Sequence, residues 1–192
     1  AVGSMDIESK EMIPSSLLEC QFQLHGLIGF LDPPKEFIGD NIRQCREAGI
    51  RVVMITGDNG NTATAIARQI HLPLCEETIT GQEISELSDI ELQEIVKRIN
   101  IFSRVIPEQK MRIVKALQEN GAVVGMTGDG VNDAPALKNA DIGIAMGHKG
   151  SEVTKEAADL VLLDDDFSTI ISTIKDARRI YHNIQKAIGY VF

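Results

Sequence analysis

The chain has 192 residues, a length that suits one domain with its own hydrophobic core. Apolar residues make up 43% and charged residues 24%, the proportions of an ordinary globular protein. The formal net charge of −9 argues against a broad basic surface for nucleic acid. The three cysteines are widely spaced, which favours a reducing compartment and argues against a disulfide framework or a zinc site.

The ends of the chain carry no strong targeting signal. No apolar run approaches the ~20 residues needed to cross a bilayer, and no secretory signal is visible, so we expect a soluble segment. Residues 1–11 are interpreted as a cloning remnant and a linker, and residues 1–5 are left out of the predicted fold.

The first predicted elements are a strand and a helix. A β-rich apolar run covers residues 22–30 and ends at the Asp-Pro-Pro sequence of residues 32–34, because proline stops a strand and can open a helix. The helix that follows is predicted over residues 36–48, with Gly49 as its stop signal.

The next part of the chain is less regular. Residues 51–55 have the β-branched composition of a buried strand, and residues 62–69 are predicted to form a helix. The acidic region 75–96 is predicted to hold a loop and one helix, which starts near a cap at Ser85 or Ser88.

Strands and helices then alternate to the end of the chain. The predicted strands cover residues 101–103, 122–126, 142–146 and 160–163, and the predicted helices cover residues 108–119, 134–139, 152–158 and 168–192. This alternation predicts an α/β fold with a Rossmann-like parallel sheet covered by helices on both faces. In such sheets ligands bind beyond the carboxyl ends of the strands. The long last helix either packs on the domain or leads toward a membrane interface, since its final residues are apolar.

Two loops share the sequence Thr-Gly-Asp directly after a predicted strand, at residues 56–58 and 127–129. Glycine allows backbone N–H groups to approach a phosphate closely, and the N-terminus of a following helix favours an anion. Each loop could also be no more than a turn into a helix, because short matches are weak evidence.

The second loop carries additional polar residues. Asp129, Asn132 and Asp133 offer hard oxygen ligands of the kind that Mg²⁺ takes. Asn132 or Asp133 could instead cap the helix that Pro135 opens, but capping does not explain Asp129.

Lys110 lies near the start of a predicted helix, after Arg104 and Pro107. From this position a lysine could reach over the strand ends to a phosphate as a point charge. The alternative is a solvated surface lysine.

Together these motifs resemble the P-type ATPases, which belong to the haloacid dehalogenase superfamily. The matching sequences are T-G-D-N at 56–59 with Thr62 and Ala63, R-x-x-P-x-x-K at 104–110, and TGDGVNDAPALK at 127–138. The resemblance covers nearly the whole chain after Met12 and includes the D-P-P-K sequence at 32–35. It is closest to calcium-type pumps rather than to those for soft transition metals.

The resemblance implies roles at the first loop and the segment after residue 103. Thr56 and Gly57 would hold the phosphoryl oxygens. Asp58 would help orient the nucleotide end of the site, and Arg104 would contact the bound nucleotide. Both cofactors of the family, ATP and Mg²⁺, would then meet at this edge of the sheet.

The resemblance also implies roles around the second loop. Lys110 would bridge the phosphoryl group and the nucleophile. Asp129 would be the principal protein ligand of Mg²⁺, with Asn132 and Asp133 supporting the metal and the phosphate.

The aspartate that the family phosphorylates lies in a D-K-T-G-T sequence, which does not occur in this chain. Asp164, Asp166 and Ser168 follow the general superfamily pattern D-x-D-x-T, but they come after both Thr-Gly-Asp loops. We interpret them as an acidic turn that leads into the last helix.

The resemblance therefore implies a fragment of a cation pump: residues 12–167 as a phosphorylation domain without its nucleophile strand, and residues 168–192 as a stalk-like helix. The fragment would be part of the cytoplasmic region of an integral membrane protein. Its partners would be the nucleotide-binding domain, the actuator domain and the membrane helices of the same pump. We expect the isolated chain to be inactive. The alternatives are a soluble haloacid dehalogenase-type phosphatase, or a non-catalytic module that binds Mg²⁺ and phosphate.

Overall fold

A computed structural model describes residues 1–6, 16–29 and 33–191, which belong to two compact units, Ala1–Pro33 and Pro34–Phe192. The first unit contains a short 3₁₀ turn, Leu17–Glu19, and an antiparallel pair of strands, β1 (Val2–Ser4) and β2 (Gln23–Gly26). The pairing of β1 differs from the prediction, which left residues 1–5 out of the fold.

The strand predicted over residues 22–30 is reduced to the four residues of β2. Leu24 of this strand is 65% exposed and Leu27 beyond it is 81% exposed, so neither side chain is buried among the described residues. Phe30, the last residue of the predicted strand, lies outside the described residues, and so does Asp32, the first residue of the D-P-P-K motif.

The second unit has the predicted alternation of strands and helices. Its strands are β3 (Met54–Ile55), β4 (Thr78–Thr80), β5 (Ile101–Ser103), β6 (Gly125–Gly128), β7 (Ile142–Met146) and β8 (Leu160–Leu162). Its helices are α1 (Ile38–Glu47), α2 (Gly60–Gln69), α3 (Gly81–Glu86), α4 (Asp89–Ile95), α5 (Pro107–Glu119), α6 (Ala134–Asn139), α7 (Glu152–Ala157) and α8 (Phe167–Val191). The α/β fold class is thus confirmed.

The strands form two parallel sheets of three strands each, in the orders β3-β5-β4 and β6-β7-β8. The predicted parallel sheet is thus present as two parts of three strands each. Within the part of the chain that the structure describes, β3 and β6 each pair with a single strand, so each leaves one edge without a partner. These are the two strands that lead into the Thr-Gly-Asp loops.

Helix α5 connects the two sheets through its side chains. Ile113 packs in the same cluster as Phe102 of β5, whereas Val114 packs with Met126 of β6. Neighbouring residues of one strand point to opposite faces of a sheet, and Ile101 accordingly packs in a separate cluster with residues of α1 and α2. The first sheet is therefore covered on both faces.

Residues 75–96 contain more structure than predicted. Thr80 and Ser88 each form a capping box, with Glu83 and Glu91 respectively, and these two boxes start α3 and α4. The prediction of one helix with no strand is wrong here, because β4 and α3 both precede α4. Of the two predicted caps, Ser88 is correct, while Ser85 lies inside α3.

The last helix, α8, packs on α1 near its start and is exposed beyond that. Lys175 donates to the side chain of Gln44 at 2.7 Å, and Arg178 donates to the carbonyl of Ala48 at 2.6 Å. Ile171 is buried, whereas the side chains from residue 180 to 190 are exposed. Among the described helices, α8 included, none combines the length and the apolar character that crossing a membrane requires.

Candidate functional site

The first Thr-Gly-Asp loop is held mainly by backbone hydrogen bonds. The N–H of Thr56 donates to the carbonyl of Phe102 at 2.9 Å, which continues the pairing of β3 with β5. The N–H of Arg104 donates to the carbonyl of Asp58 at 2.9 Å, and the N–H of Val105 donates to the carbonyl of Thr56 at 3.0 Å. These bonds bring the predicted site residues Thr56, Asp58 and Arg104 together.

The side chains of this loop remain accessible. Gly57 and Asp58 are exposed, and the hydroxyl oxygen of Thr56 accepts a hydrogen bond from the N–H of Asp58 at 3.0 Å. A hydroxyl has one proton and can accept as well as donate, so the proton of Thr56 is left to donate to a ligand. Asn59 caps the helix α2 that follows, through a 2.8 Å bond from the N–H of Asn61.

The segment after β5 adopts a strained turn at Arg104, whose φ is 51°. Its carbonyl lies so close to Gly81 that a Cβ at that position would be 2.3 Å from the oxygen. Gln109 supports the turn from the other side, because it accepts from the N–H of Ile106 at 3.0 Å and donates to the carbonyl of Gly81 at 2.7 Å. The start of α5, and with it Lys110, is thereby fixed.

The second Thr-Gly-Asp loop begins inside a strand. β6 extends to Gly128, so that Thr127 and Gly128 pair with Ile144 and Ala145 of β7. The predicted strand, residues 122–126, therefore starts three residues and ends two residues too early, because the parallel pairing with β7 starts at Gly125. A Cβ on Gly128 would lie 2.5 Å from the Cβ of Asp133, so the close packing of this loop requires glycine.

Lys110 and Asp133 form an ion pair that is mostly buried. The distance from Nζ of Lys110 to Oδ1 of Asp133 is 2.5 Å, and the two side chains are 14% and 11% exposed. The other carboxylate oxygen of Asp133 accepts from the N–H of Gly130 at 3.2 Å. Lys110 is thus not a solvated surface lysine, and the side chain of Asp133 does not cap α6.

Asp129 and Asn132 are exposed beside this pair. Within residues 1–6, 16–29 and 33–191, the Asp129 carboxylate makes no hydrogen bond, and no group of three His, Cys, Asp or Glu side chains could hold a metal. Mg²⁺ commonly keeps several waters and takes one or two carboxylates together with substrate phosphates, rather than a cage made only of protein. One unengaged carboxylate, in a loop that also exposes Asn132, fits such an ion.

Two residues that hold the second loop were missed by the sequence analysis. The N–H of Ser151 donates to the carbonyl of Asp129 at 3.0 Å, and the hydroxyl of Thr154 donates to the carbonyl of Gly130 at 3.0 Å. Both residues lie at the start of α7, which the sequence indicated only as a helix. The available signal was the spacing of two hydroxyl residues at a helix N-terminus, Ser151 as the cap and Thr154 three positions later.

The acidic turn before α8 has a local explanation. Asp164 accepts from the hydroxyl of Thr169 at 2.6 Å, and Asp166 accepts from the N–H of Ser168 at 2.9 Å. The Thr169 hydroxyl, followed by the N–H of Asp166, lowers the pKa of Asp164. These bonds hold the first turn of α8, as expected for a turn that leads into a helix.

The predicted site residues therefore fall into two groups. Lys110 and Asp133 contact each other next to Asp129 and Asn132, and the backbone joins residues 56–58 to Arg104. No hydrogen bond between described residues links the loop at 56–58 with the loop at 127–133. Helix α5 connects them, because it starts just after Arg104 and carries Lys110.

Residues 7–141 match the model of the haloacid dehalogenase-like hydrolases, and the chain belongs to this family. Within it, the chain is 50% identical over 192 residues to the calcium-transporting ATPase of Bacillus subtilis, a match that covers 100% of this chain and 22% of the relative. It is 51% identical over 179 residues to the endoplasmic reticulum calcium ATPase srcA of Aspergillus fumigatus, covering 91% of this chain and 18% of that protein. The chain spans about a fifth of the length of these relatives.

Two solved structures are similar in fold. One is the crystal structure of a zinc-transporting PIB-type ATPase in its E2.Pi state, with a TM-score of 0.62 and 31% identity over 81% of this chain and 21% of that one. The other is the catalytic domain of the CPx-ATPase CopB-B, with a TM-score of 0.56 and 28% identity over 74% of this chain and 46% of that one. The predicted resemblance to P-type ATPases, with calcium-transporting ATPases among the similar proteins, is confirmed.

Proposed function

We propose that this chain is the greater part of the phosphorylation domain of a calcium-type P-type ATPase, which pumps cations through an aspartyl-phosphate intermediate. The observation that carries the proposal is the buried pair of Lys110 and Asp133 beside the unengaged carboxylate of Asp129. A structural role alone would account for the pair. It would leave unexplained the carboxylate that the same loop presents to solvent.

The metal half of the site would use the second loop. Asp129 would hold Mg²⁺ with help from the amide oxygen of Asn132, and the ion would neutralise charge on the transferring phosphoryl group. Asp133 keeps Lys110 at the carboxyl end of β6, so the ammonium group of Lys110 would meet the phosphoryl group as a positioned charge.

The phosphate and nucleotide half would use the first loop. Thr56 has a hydroxyl proton left to donate to a phosphoryl oxygen, and Gly57 leaves open space beside the backbone. Asp58 would help orient the nucleotide, which Arg104 would contact. This assignment is supported by the exposure of both side chains just beyond the carboxyl ends of the neighbouring strands β3 and β5, where ligands bind in such sheets.

The nucleophile would come from another segment of the same protein. We propose that a strand ending in D-K-T-G-T lies between β3 and β6, which are two of the four edge strands among the described residues and the two that lead into the Thr-Gly-Asp loops. Its aspartate would then lie between the two Thr-Gly-Asp loops, which follow these strands. In this arrangement residues 12–167 form the phosphorylation domain and residues 168–192 lead toward the membrane helices.

The whole pump would supply the remaining parts. A nucleotide-binding domain would bring ATP to the site, and an actuator domain and membrane helices would couple phosphorylation to transport. The chain would then be a cytoplasmic part of an integral membrane protein, and inactive without the phosphorylated aspartate.

The metal role of Asp129 can be tested in the complete protein that carries this chain. We expect Asp129→Asn to reduce acid-stable phosphoenzyme formation from ATP at least a hundredfold, because charge stabilisation by a bound metal contributes several kcal/mol. Asp40→Asn is the matched control, since Asp40 forms an exposed pair with Arg43 at 2.9 Å and such pairs contribute little. Normal phosphorylation of Asp129→Asn would refute the assigned role.

A second assay separates this proposal from a self-contained phosphatase. The 192-residue chain is incubated with p-nitrophenyl phosphate and Mg²⁺, and we expect no turnover. Turnover that disappears in Asp129→Ala would identify a complete phosphatase and count against the pump.

A further inference from the structure

The hydroxyl of Thr154 is buried between α7 and the second Thr-Gly-Asp loop. Thr154 is 0% exposed, and its Oγ1 lies 2.5 Å from Oγ of Ser151 and 3.0 Å from the carbonyl oxygen of Gly130. Helix capping requires only that Ser151 accept from the N–H of Thr154, at 3.2 Å. The Thr154 hydroxyl is not needed for that cap, so its burial against the loop calls for another explanation.

The direction of the hydrogen bonds follows from their chemistry. A carbonyl oxygen can only accept, so the single hydroxyl proton of Thr154 goes to the nearer of two carbonyls, that of Gly130 at 3.0 Å rather than that of Asp129 at 3.5 Å. Ser151 must then donate its own hydroxyl proton to Thr154 across the 2.5 Å contact. The result is one directed chain from Ser151 through Thr154 to the backbone of the loop, and each donor in it has an acceptor.

The peptide group that follows Asp129 is held at both ends. Its carbonyl oxygen accepts from the N–H of Ser151 at 3.0 Å, and its N–H, which belongs to Gly130, donates to Asp133 at 3.2 Å. The next carbonyl, of Gly130, accepts from Thr154 and from the N–H of Asp133 at 2.8 Å. The first of these peptide groups is bonded to the Cα of Asp129 and the second follows it directly, so together they restrict the backbone from which the Asp129 side chain extends.

We propose that Thr154 is a positioning residue for the metal site: its hydroxyl fixes the backbone after Asp129, so that the carboxylate is presented in one orientation before the ion arrives. This inference rests on the proposed role of Asp129. A ligand that is oriented in advance binds more tightly, and loss of a partner behind a metal ligand commonly reduces affinity by about 10- to 100-fold.

The first experiment measures the loop without any metal. Amide hydrogen exchange is recorded by NMR on the 192-residue chain and on Thr154→Val, which keeps the shape but removes the hydroxyl. We expect the N–H groups of Gly130 and Asp133 to exchange roughly five- to tenfold faster, the effect of losing one hydrogen bond, while the amide of Ile113 in α5 is unchanged. Thr154→Ser should restore the slow exchange.

The second experiment measures the metal in the complete protein that carries this chain. In Thr154→Val the Mg²⁺ concentration for half-maximal phosphorylation by ATP should rise about tenfold, with the maximum preserved at saturating Mg²⁺. Thr154→Ser should behave like the wild type. Thr80→Val is the matched control, because it removes a hydroxyl that caps α3, away from the second loop.

The results separate the two proposals. An unchanged Mg²⁺ dependence in Thr154→Val, with a large effect in Asp129→Asn, overturns the role of Thr154 alone. If phosphorylation by ATP depends on Mg²⁺ in Asp129→Asn as it does in the wild type, the proposed function is overturned. If the Mg²⁺ concentration for half-maximal phosphorylation rises equally in Thr80→Val, the inference is also overturned, because the rise would then reflect a general loss of stability. If Thr154→Val does not fold, Thr154→Ala removes the same hydroxyl and leaves the Ser151 cap in place; faster exchange at Gly130 supports the proposal, and unchanged exchange contradicts it.

Discussion

The two Thr-Gly-Asp loops have the same three residues and follow the same kind of parallel strand, yet they are held in different ways. Residues 56–58 are held largely by backbone hydrogen bonds to the segment after β5, and the side chain of Asp58 is exposed. Residues 127–133 are held by the carboxylate of Asp133, by Lys110 and by the hydroxyl of Thr154.

This difference separates what the motif supplies from what its surroundings supply. The motif provides a turn, a small residue and a carboxylate at a strand end. The surroundings supply the side-chain bonds that hold the loop, and these are more numerous at residues 127–133 than at residues 56–58. Comparable substitutions in the two loops should therefore have different effects.

The largest expected difference concerns the charged side chains. Lys110→Met leaves Asp133 without its buried partner, and removing one member of a buried pair costs about 3 kcal/mol or more in the free energy of unfolding. Asp58→Ala removes an exposed side chain and should cost less than about 0.5 kcal/mol. Urea unfolding of both variants measures the contrast, and equal losses would contradict it.

The two glycines should differ by a smaller amount. In Gly128→Ala the new Cβ would lie 2.5 Å from the Cβ of Asp133, and such overpacking costs about 1–3 kcal/mol. A Cβ at Gly57 meets no atom within 4 Å, so Gly57→Ala should stay within about 0.5 kcal/mol of the wild type. Thermal unfolding compares the two. A large loss in Gly57→Ala would show that the first loop is more tightly packed than described.

The smallest expected effect is on the pH dependence of stability. It concerns Asp141, which accepts a hydrogen bond from the N–H of Val124 just before β6, at the end of the strand away from the Thr-Gly-Asp loop. The N–H of Val124 and then the side chain of Gln118 hydrogen-bond to Asp141 and lower the pKa of its carboxyl group. A carboxyl group whose pKa is lower in the folded state than in the unfolded state stabilises the fold when it is ionised. This stabilisation is fully present above the pKa of the unfolded state, about 4, and is lost as the pH falls through the pKa of the folded state. The stability difference between the wild type and Asp141→Asn should therefore shrink as the solution is acidified below about pH 4. A difference that does not change with pH would contradict this account.

Local sequence signals were enough to predict the bounds of several strands and helices of the second unit. Strand β5, helix α6 and strand β7 have the predicted bounds, because each is a short apolar run with a clear stop or start beside it. The predicted ends of α1, α2, α5, α7 and α8 are within two residues of those observed. Helix periodicity and caps are local properties, which a sequence displays directly.

The remaining features depend on partners that are distant in the chain. Strand β4 has three residues and is recognisable only through its pairing with β5. The position of β6 is set by its register with β7 rather than by its own apolar residues. The motif supplied Lys110 and Asp133 as candidates, but their separation of 23 positions in the sequence hides their contact. Thr154 was missed for the same reason, since its acceptor belongs to another loop.

The most direct test of the account asks where a divalent cation binds. Mn²⁺, which prefers the same oxygen ligands as Mg²⁺, is titrated into the isotope-labelled chain while the broadening of amide signals is followed. We predict that the signals of residues 128–133 broaden first, and that Asp129→Asn removes this effect while the Lys110–Asp133 pair remains. Broadening centred on the acidic turn at residues 164–166, or unchanged broadening at residues 128–133 in Asp129→Asn, would contradict the account.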